Sequence, residues 1–239
     1  MMYEITIPVL NEEKKIVEKI DQIIGFLKEN KLDNFKLVIV DNGSTDATKE
    51  LGAMLASKHE NVDFFSITEK GIGRALLHSW SISSSEIIGY MDLDLSTDLR
   101  HLIDVYNIFS EHNHIEIVNG SRLLKSSTVL NRKIIREIIS RAFNKLMKNK
   151  LKVNFTDAAC GFKFFRNNLN LKKVIDDTQN KEWFFPIEVL VRAEKNGFNI
   201  NEIPVIWIDD HDSKVKIIKL SIKYFQEINR LKKEFKLGR

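Results

Sequence analysis

Between Tyr3 and Ser121 the sequence repeats one pattern: a short run apolar at nearly every position, then a longer run apolar at every third or fourth. "YEITIPV" reads as a strand, and "NEEKKIVEKIDQIIGFLKEN" follows with Ile16, Ile20, Ile23, Ile24 and Leu27 at helical spacing. "KLVIVD" is a second strand, and "STDATKELGAMLASK" a helix opened by the capping-type residues Ser44 to Asp46. "VDFFSI" with "GIGRALLHSWSIS", then "EIIGYMD" with "TDLRHLIDVYNIFSEH", repeat the unit, and "IEIVNGS" is a fifth strand. Strands apolar on both faces need cover on both faces. The pattern therefore predicts the α/β class, with a mostly parallel sheet flanked by helices. In such sheets ligands sit at the carboxyl ends of the strands.

The second half reads differently. "RKIIREIISRAFNKLMKNK" is a basic amphipathic helix, "CGFKFFR" a short strand or extended piece, "PIEVLVRAEKNG" a helix ending at Gly197, and "INEIPVIWID" one strand ahead of a long C-terminal helix. No Gly/Pro/Ser-rich linker divides the halves, so a single domain over 1–239 is expected, with lobes 1–122 and 123–213 and a basic helix 214–239.

At 239 residues and 43% apolar, the chain can build one large core. Its one cysteine, Cys160, excludes an internal disulfide framework, fits a reducing compartment and reads as a packing residue. The N-terminal "MMYEITIPVLNEEKK" lacks a basic n-region, so a secretory signal is not expected. No window reaches the ~18 uncharged apolar residues that span a bilayer. A cytoplasmic location follows as the expectation. The net charge of +4 is uneven: Arg132–Lys150 carries seven Lys/Arg against one Glu, and Lys214–Arg239 nine against two. Two basic segments on an acidic body suggest a negatively charged partner. Both segments are amphipathic, which suits packing on a core or lying on an anionic membrane. The aromatics are not interleaved with the basic residues as single-strand nucleic-acid binders require, so no nucleic-acid partner is expected.

Polar residues gather wherever a strand ends: Asn11 and Glu12, then "DNGSTD" from Asp41, "KGIGR" from Lys70, Asp92 and Asp94 in "YMDLDLSTD", and "GSR" at Gly120 to Arg122. One such cluster is turn punctuation; five on one sheet edge point to a site. The "DLD" carboxylates offer oxygen ligands to a hard cation, Mg²⁺ or Mn²⁺, of the kind that stabilises a leaving diphosphate. "KGIGR" supplies cations and permissive backbone but lacks both the dinucleotide fingerprint and the P-loop ending.

"IPVLNEE", "VIVDNGSTDAT", "KGIGRAL", "YMDLDLSTD", "VNGSR", "DAACGFKFF" and "EIPVIWIDDHDSKV" occur in the order seen in family 2 glycosyltransferases. Over Ile5 to Val215 the chain resembles their dolichyl- or polyprenyl-phosphate sugar synthase branch. The resemblance implies a GT-A (Rossmann-like) fold, a nucleotide-sugar donor bound by the first lobe, and a polyprenyl or dolichyl phosphate acceptor bound by the second. It implies that Pro8 and Glu12 border the nucleotide, that Asp41 contacts the base and that Lys70 lies near the donor. It makes Asp94 the principal metal ligand and gives Asp92 the metal or ribose; Ser96 stands where mannosyl-transferring relatives often carry Gln. Arg122, Arg136 and Ser140 match the lipid-phosphate pattern, Arg136 and Ser140 sharing a helix face, and Lys214 matches a lysine that closes over the donor phosphates.

A phosphate monoester is already an anion near neutral pH and needs no general base, so single displacement with inversion is expected. Pro186 stands where glucosyl-transferring relatives commonly carry Asp. Glu188 is the remaining acidic helper, and His211 a further candidate for the metal shell. Two other readings stay open at this point. One is transfer to a glycan or small-molecule hydroxyl with Glu188 or Asp210 as base; the other is a non-catalytic nucleotide- or nucleic-acid-binding module. An anionic membrane surface is the expected docking partner in the first reading.

Overall fold

Five strands of the alternating half lie where the apolar runs place them: β1 (Tyr3–Val9), β2 (Phe35–Asn42), β3 (Val62–Ile67), β4 (Ile87–Met91) and β5 (Ile117–Ser121). They belong to a computed structural model that describes residues 1–209 and 217–236, with the side chains of 217–221 left aside. β1 pairs in parallel with β2 and β4, and β2 with β3. Helices α1 (Ile16–Glu29), α2 (Thr48–Lys58), α3 (Ile72–Ile82) and α4 (His101–Glu111) fill the connections.

All five α1 residues named from periodicity are buried: Ile16, Ile20, Ile23, Ile24 and Leu27. At ~1.5–3 kcal/mol for each buried aliphatic side chain, this face anchors the helix far more strongly than its propensity could. α1 and α4 share one core with the Tyr3, Ile5 and Ile7 face of β1. The opposite core joins α3 to the second half of the chain. There β1 presents Glu4 and Thr6, and the serines of "LLHSWSIS" satisfy them: Ser79 and Ser83 donate to Glu4 at 2.7 and 2.5 Å, and Thr6 donates to Ser79 at 2.9 Å. α2 begins later than the capping residues suggested. Ala47 occupies the cap position, and Asp46 instead accepts from the Thr48 amide at 3.1 Å.

The second half contributes β6 (Thr128–Leu130), α5 (Ile134–Leu151), β7 (Phe162–Arg166), α6 (Leu169–Asp176), α7 (Phe185–Lys195), β8 (Ile200–Pro204), β9 (Ile206–Ile208) and α8 (Ile217–Glu234). The seven-stranded sheet runs β3-β2-β1-β4-β7-β5-β8. β7 is antiparallel to both β4 and β5, while β8 is parallel to β5. The stretch "INEIPVIWID" is therefore two strands, not one. At the break, Val205 donates to the Ser121 carbonyl at 3.2 Å and accepts from Thr128 at 3.0 Å. That exchange carries the chain from the large sheet into the small β6–β9 ribbon.

The basic helices divide along their length. On α5 the C-terminal half is buried through Asn144, Met147 and Leu151, whereas Ile134, Ile135 and Ile138 are 79, 58 and 57% exposed. On α8, Ile228 and Leu231 are buried but Ile222 and Phe225 are exposed. The two helices touch through Phe143 and Tyr224, ring centroids 5.4 Å apart. Among the described residues no helix is long and apolar enough to cross a membrane.

Candidate active site

The parallel register brings the ends of β1 to β5 to one edge, and the inverted β7 starts on that same edge. The loops after β1 and β2 interlock. Asn11, at φ 55°, donates its amide to Ser44 Oγ at 2.9 Å, and its side-chain oxygen accepts from the Thr45 amide at 2.8 Å. The Glu12 amide donates to Thr48 Oγ1 at 2.7 Å. Pro8 is half-buried opposite Val40. Asp41 is buried at the end of β2 and accepts from the Ser44 amide at 3.1 Å and from Ser66 Oγ at 2.9 Å. These bonds fix the carboxylate in place at the sheet edge.

Lys70 is exposed at the end of the third loop. Beside it Gly71, at φ 144°, lies so near the Lys181 carbonyl that a β-carbon would meet it at 2.5 Å, which only glycine avoids. Arg74 is held by Glu69 at 2.5 Å and Glu182 at 3.1 Å.

Asp92 and Asp94 follow β4. Asp94 is exposed, and its Oδ1 accepts from the Ser96 amide at 2.9 Å. Ser96 is buried, its carbonyl accepting from the Ile208 amide at 2.8 Å. That bond ties the turn to β9. Asp92 lines a pocket of about 50 Å³ with Ile72, Tyr90, Gly161, Trp183, Pro186 and Tyr224. Burial and the Asp94 charge beside it push its pKa well above the ordinary carboxylate range, against the pull of Arg122 and Lys163. Two crowded carboxylates of this kind suit a divalent cation, which would relieve their mutual repulsion. Among the described residues no group of three or more His, Cys, Asp or Glu side chains converges. His211, Asp210 and Lys214 lie outside the described residues.

Because β7 pairs with β4 up to Met91 and Phe162, Gly161 just before β7 comes to lie against Asp92. A β-carbon on Gly161 would stand 1.9 Å from Asp92 Oδ2, so glycine is what lets the carboxylate lie there. Lys163 is fully buried, and its Nζ donates to the Cys160 carbonyl at 2.6 Å. Burial pulls its pKa down. Cys160 is a buried free thiol whose pKa burial pushes up to about 12, in keeping with packing rather than nucleophilic work.

The second-half residues separate. Arg122 grips the buried Asp157 with Nε at 2.7 Å and Nη2 at 2.9 Å and lies over the Trp207 ring at 4.8 Å. Burial alone would raise the Asp157 pKa, but the guanidinium holds it down at about 2. Arg136 Nη1 stands 3.7 Å from Asp209 Oδ2, and Ser140 lies half-buried one turn further along α5. Glu188 is fully buried on α7. Its oxygens accept from the Gln179 and Asn180 amides, each at 3.1 Å, and pair with Arg192 at 2.8 Å and Arg230 at 2.5 Å. A carboxylate so committed ties α7 to α8 and has no lone pair left for an acceptor proton. Pro186 sits in the first turn of α7, where its missing N–H costs nothing, and presents its ring to the pocket.

A profile of the glycosyl transferase family 2 domain matches residues 4–172, the span that holds all five strand-end clusters and β7. The chain belongs to glycosyl transferase family 2. As a member of that family it is a glycosyltransferase. It is similar to glycosyltransferase AglD of Haloferax volcanii, 29% identical over 217 residues, covering 90% of this chain and 34% of AglD. The chain thus spans about a third of that relative's length. It is also similar to dolichyl-phosphate beta-glucosyltransferase of Dictyostelium discoideum, 27% identical, covering 98% of this chain and 75% of the relative. Among solved structures, glucosyl-3-phosphoglycerate synthase from Mycobacterium tuberculosis with Mn²⁺ and UDP-glucose superposes with a TM-score of 0.67 at 18% identity, over 95% of this chain and 76% of that one. This family 2 glycosyltransferase therefore has the GT-A fold.

Asp157, Gly161, Lys163 and Tyr224 escaped the sequence reading as site residues. The "DAACGFK" motif flagged the first three as a group, but Asp157 and Gly161 meet Arg122 and Asp92, 35 and more residues away, beyond the reach of any local signal.

Proposed function

We propose that this glycosyltransferase transfers a hexose from a nucleotide sugar, UDP-glucose in the first instance, to a polyprenyl or dolichyl phosphate with inversion at the anomeric carbon. The observation that carries the reading is the pocket beside Asp92. Its wall has Pro186 where an acidic helper could stand, and the nearby Glu188 is locked between two arginines. A hydroxyl acceptor would need a base there. A phosphate monoester supplies its own anionic oxygen. The names of the dolichyl-phosphate glucosyltransferase relatives support the same acceptor.

Asp94 and Asp92 would hold Mg²⁺ or Mn²⁺, whose chemistry is to stabilise charge on the departing nucleoside diphosphate. Pro8, Glu12 and Asp41 border the nucleotide, with Asp41 pre-set by Ser44 and Ser66, and Lys70 faces the donor phosphates. Arg122, Arg136 and Ser140 belong to the acceptor side. The exposed isoleucines of α5 and the basic residues around them bring the protein to an anionic membrane as a peripheral component, where the lipid phosphate is found.

The test is to incubate the protein with Mn²⁺ or Mg²⁺, a panel of labelled nucleotide sugars and polyprenyl phosphate, and to extract glycolipid. Label in the lipid phase from one donor, lost on chelation and restored by metal, is expected. Label from no donor would overturn the reading.

A further inference from the structure

Glu188 is fully buried, and its two oxygens hold both pieces of chain that complete the pocket beside Asp92. One piece is the turn ahead of α7, which carries Trp183; Glu188 accepts from its Gln179 and Asn180 amides, each at 3.1 Å. The other is α8, which carries Tyr224; Arg230 reaches from α8 to Glu188 Oε2 at 2.5 Å. The two pieces also meet each other, since the Tyr224 hydroxyl donates to the Trp183 carbonyl at 3.2 Å. The turn is fastened to the third loop as well, where the Arg74 amide donates to the Lys181 carbonyl at 3.1 Å.

Tyr90, Asp92 and Gly161 come to this pocket from the sheet edge. Trp183 and Tyr224 come from segments beyond residue 172, where the family profile ends. Tyr224 packs its ring against Phe143 of α5 and Phe184, centroids 5.4 and 5.2 Å away. Trp183 is 47% exposed, so it stands at the boundary between pocket and solvent. Asp92 is the one charged side chain on a wall otherwise apolar or aromatic. Such a wall disfavours water, and water is the acceptor that competes with a phosphate for an activated hexose.

We propose that Trp183 and Tyr224 form a lid that keeps water from the reacting hexose, and that Glu188 is the positioning residue that holds both. The inference rests on the hexosyl-transfer reading and adds to it the suppression of a side reaction, hydrolysis of the donor. In that side reaction a water oxygen bonds to the anomeric carbon and the bond from that carbon to the diphosphate oxygen breaks. The electron pair of the broken bond leaves with the nucleotide, and the proton of the water passes to solvent. Glu188, with both oxygens tied, is a brace rather than a base.

Wild type, Tyr224→Ala, Tyr224→Phe, Glu188→Gln and Arg230→Gln, each checked for folding by circular dichroism, are incubated with Mn²⁺ and UDP-glucose labelled in the hexose, with and without polyprenyl phosphate. Free glucose and glycolipid are then counted separately. Tyr224→Ala should raise the ratio of free glucose to glycolipid about tenfold, whereas Tyr224→Phe, which keeps the ring, should stay near wild type. Glu188→Gln and Arg230→Gln should raise it in the same direction. A ratio within twofold of wild type in Tyr224→Ala would overturn the lid, and so would release of free glucose by no variant. Glu188→Gln lowering free glucose and glycolipid in parallel is what a base would give, and would overturn its positioning role. Should Tyr224→Ala misfold, Tyr224→Leu decides by the same criterion. Free glucose that rises in Tyr224→Ala without acceptor, while no variant forms glycolipid, would sink the proposed reaction and leave the lid standing.

Discussion

At Gly161 the absence of a side chain decides where a carboxylate can lie. Any β-carbon would collide with Asp92, whose carboxylate would have to shift. Gly161→Ala is expected to lower kcat about 10²-fold, the cost of displacing a reacting constellation by roughly 1 Å, with a cooperative melting transition retained. Activity within twofold of wild type would show that Asp92 tolerates the shift. Asp157 carries a different prediction. Its folded pKa of about 2 lies below the ordinary 3.8, so the unfolded chain binds more protons between these values. Stability from the Arg122 pair is therefore complete above about pH 4 and lost toward pH 2, by about 2 kcal/mol. Denaturant unfolding should show Asp157→Asn to be destabilised by roughly 3–5 kcal/mol at pH 7, because a buried guanidinium is left unpaired. The variant should also have a shallower acid limb than wild type.

At the scale of elements, periodicity located α1, α3, α4, α5 and α7, because a helix face that meets a core writes itself into the spacing of its own residues. It could not show that β7 runs backwards between β4 and β5, since strand direction depends on partners distant in sequence. Nor could it split "INEIPVIWID" at Val205, where hydrogen bonds to Ser121 and Thr128 decide. The basic helices posed a choice between core and membrane, and the structure divides each: one half packs, the other leaves isoleucines in water. Replacing Ile134, Ile135 and Ile138 by serine is expected to cut cosedimentation with anionic liposomes at least tenfold. These positions are exposed, so stability should change by no more than about 0.5 kcal/mol per site. Unaltered liposome binding would place the contact elsewhere.

Across the whole molecule the strand-end clusters were legible as a site because a parallel sheet sends every carboxyl end to one edge. The chemistry of individual residues was less so. Arg122 and Glu188 stand in the sequence as free charged groups, yet in the fold each is spent on an ion pair, whereas Lys70 stays exposed. Burial and pairing across 35 to 42 residues separate these cases. In the proposed reaction the acceptor's own charge is the source of the nucleophile. The most direct measurement offers the enzyme polyprenyl phosphate and the matching polyprenol side by side with UDP-glucose, and reads the product's anomeric centre by NMR. Transfer to the phosphate alone, with inverted configuration, is the predicted result. Glucosylated polyprenol, or a product of retained configuration, would contradict it.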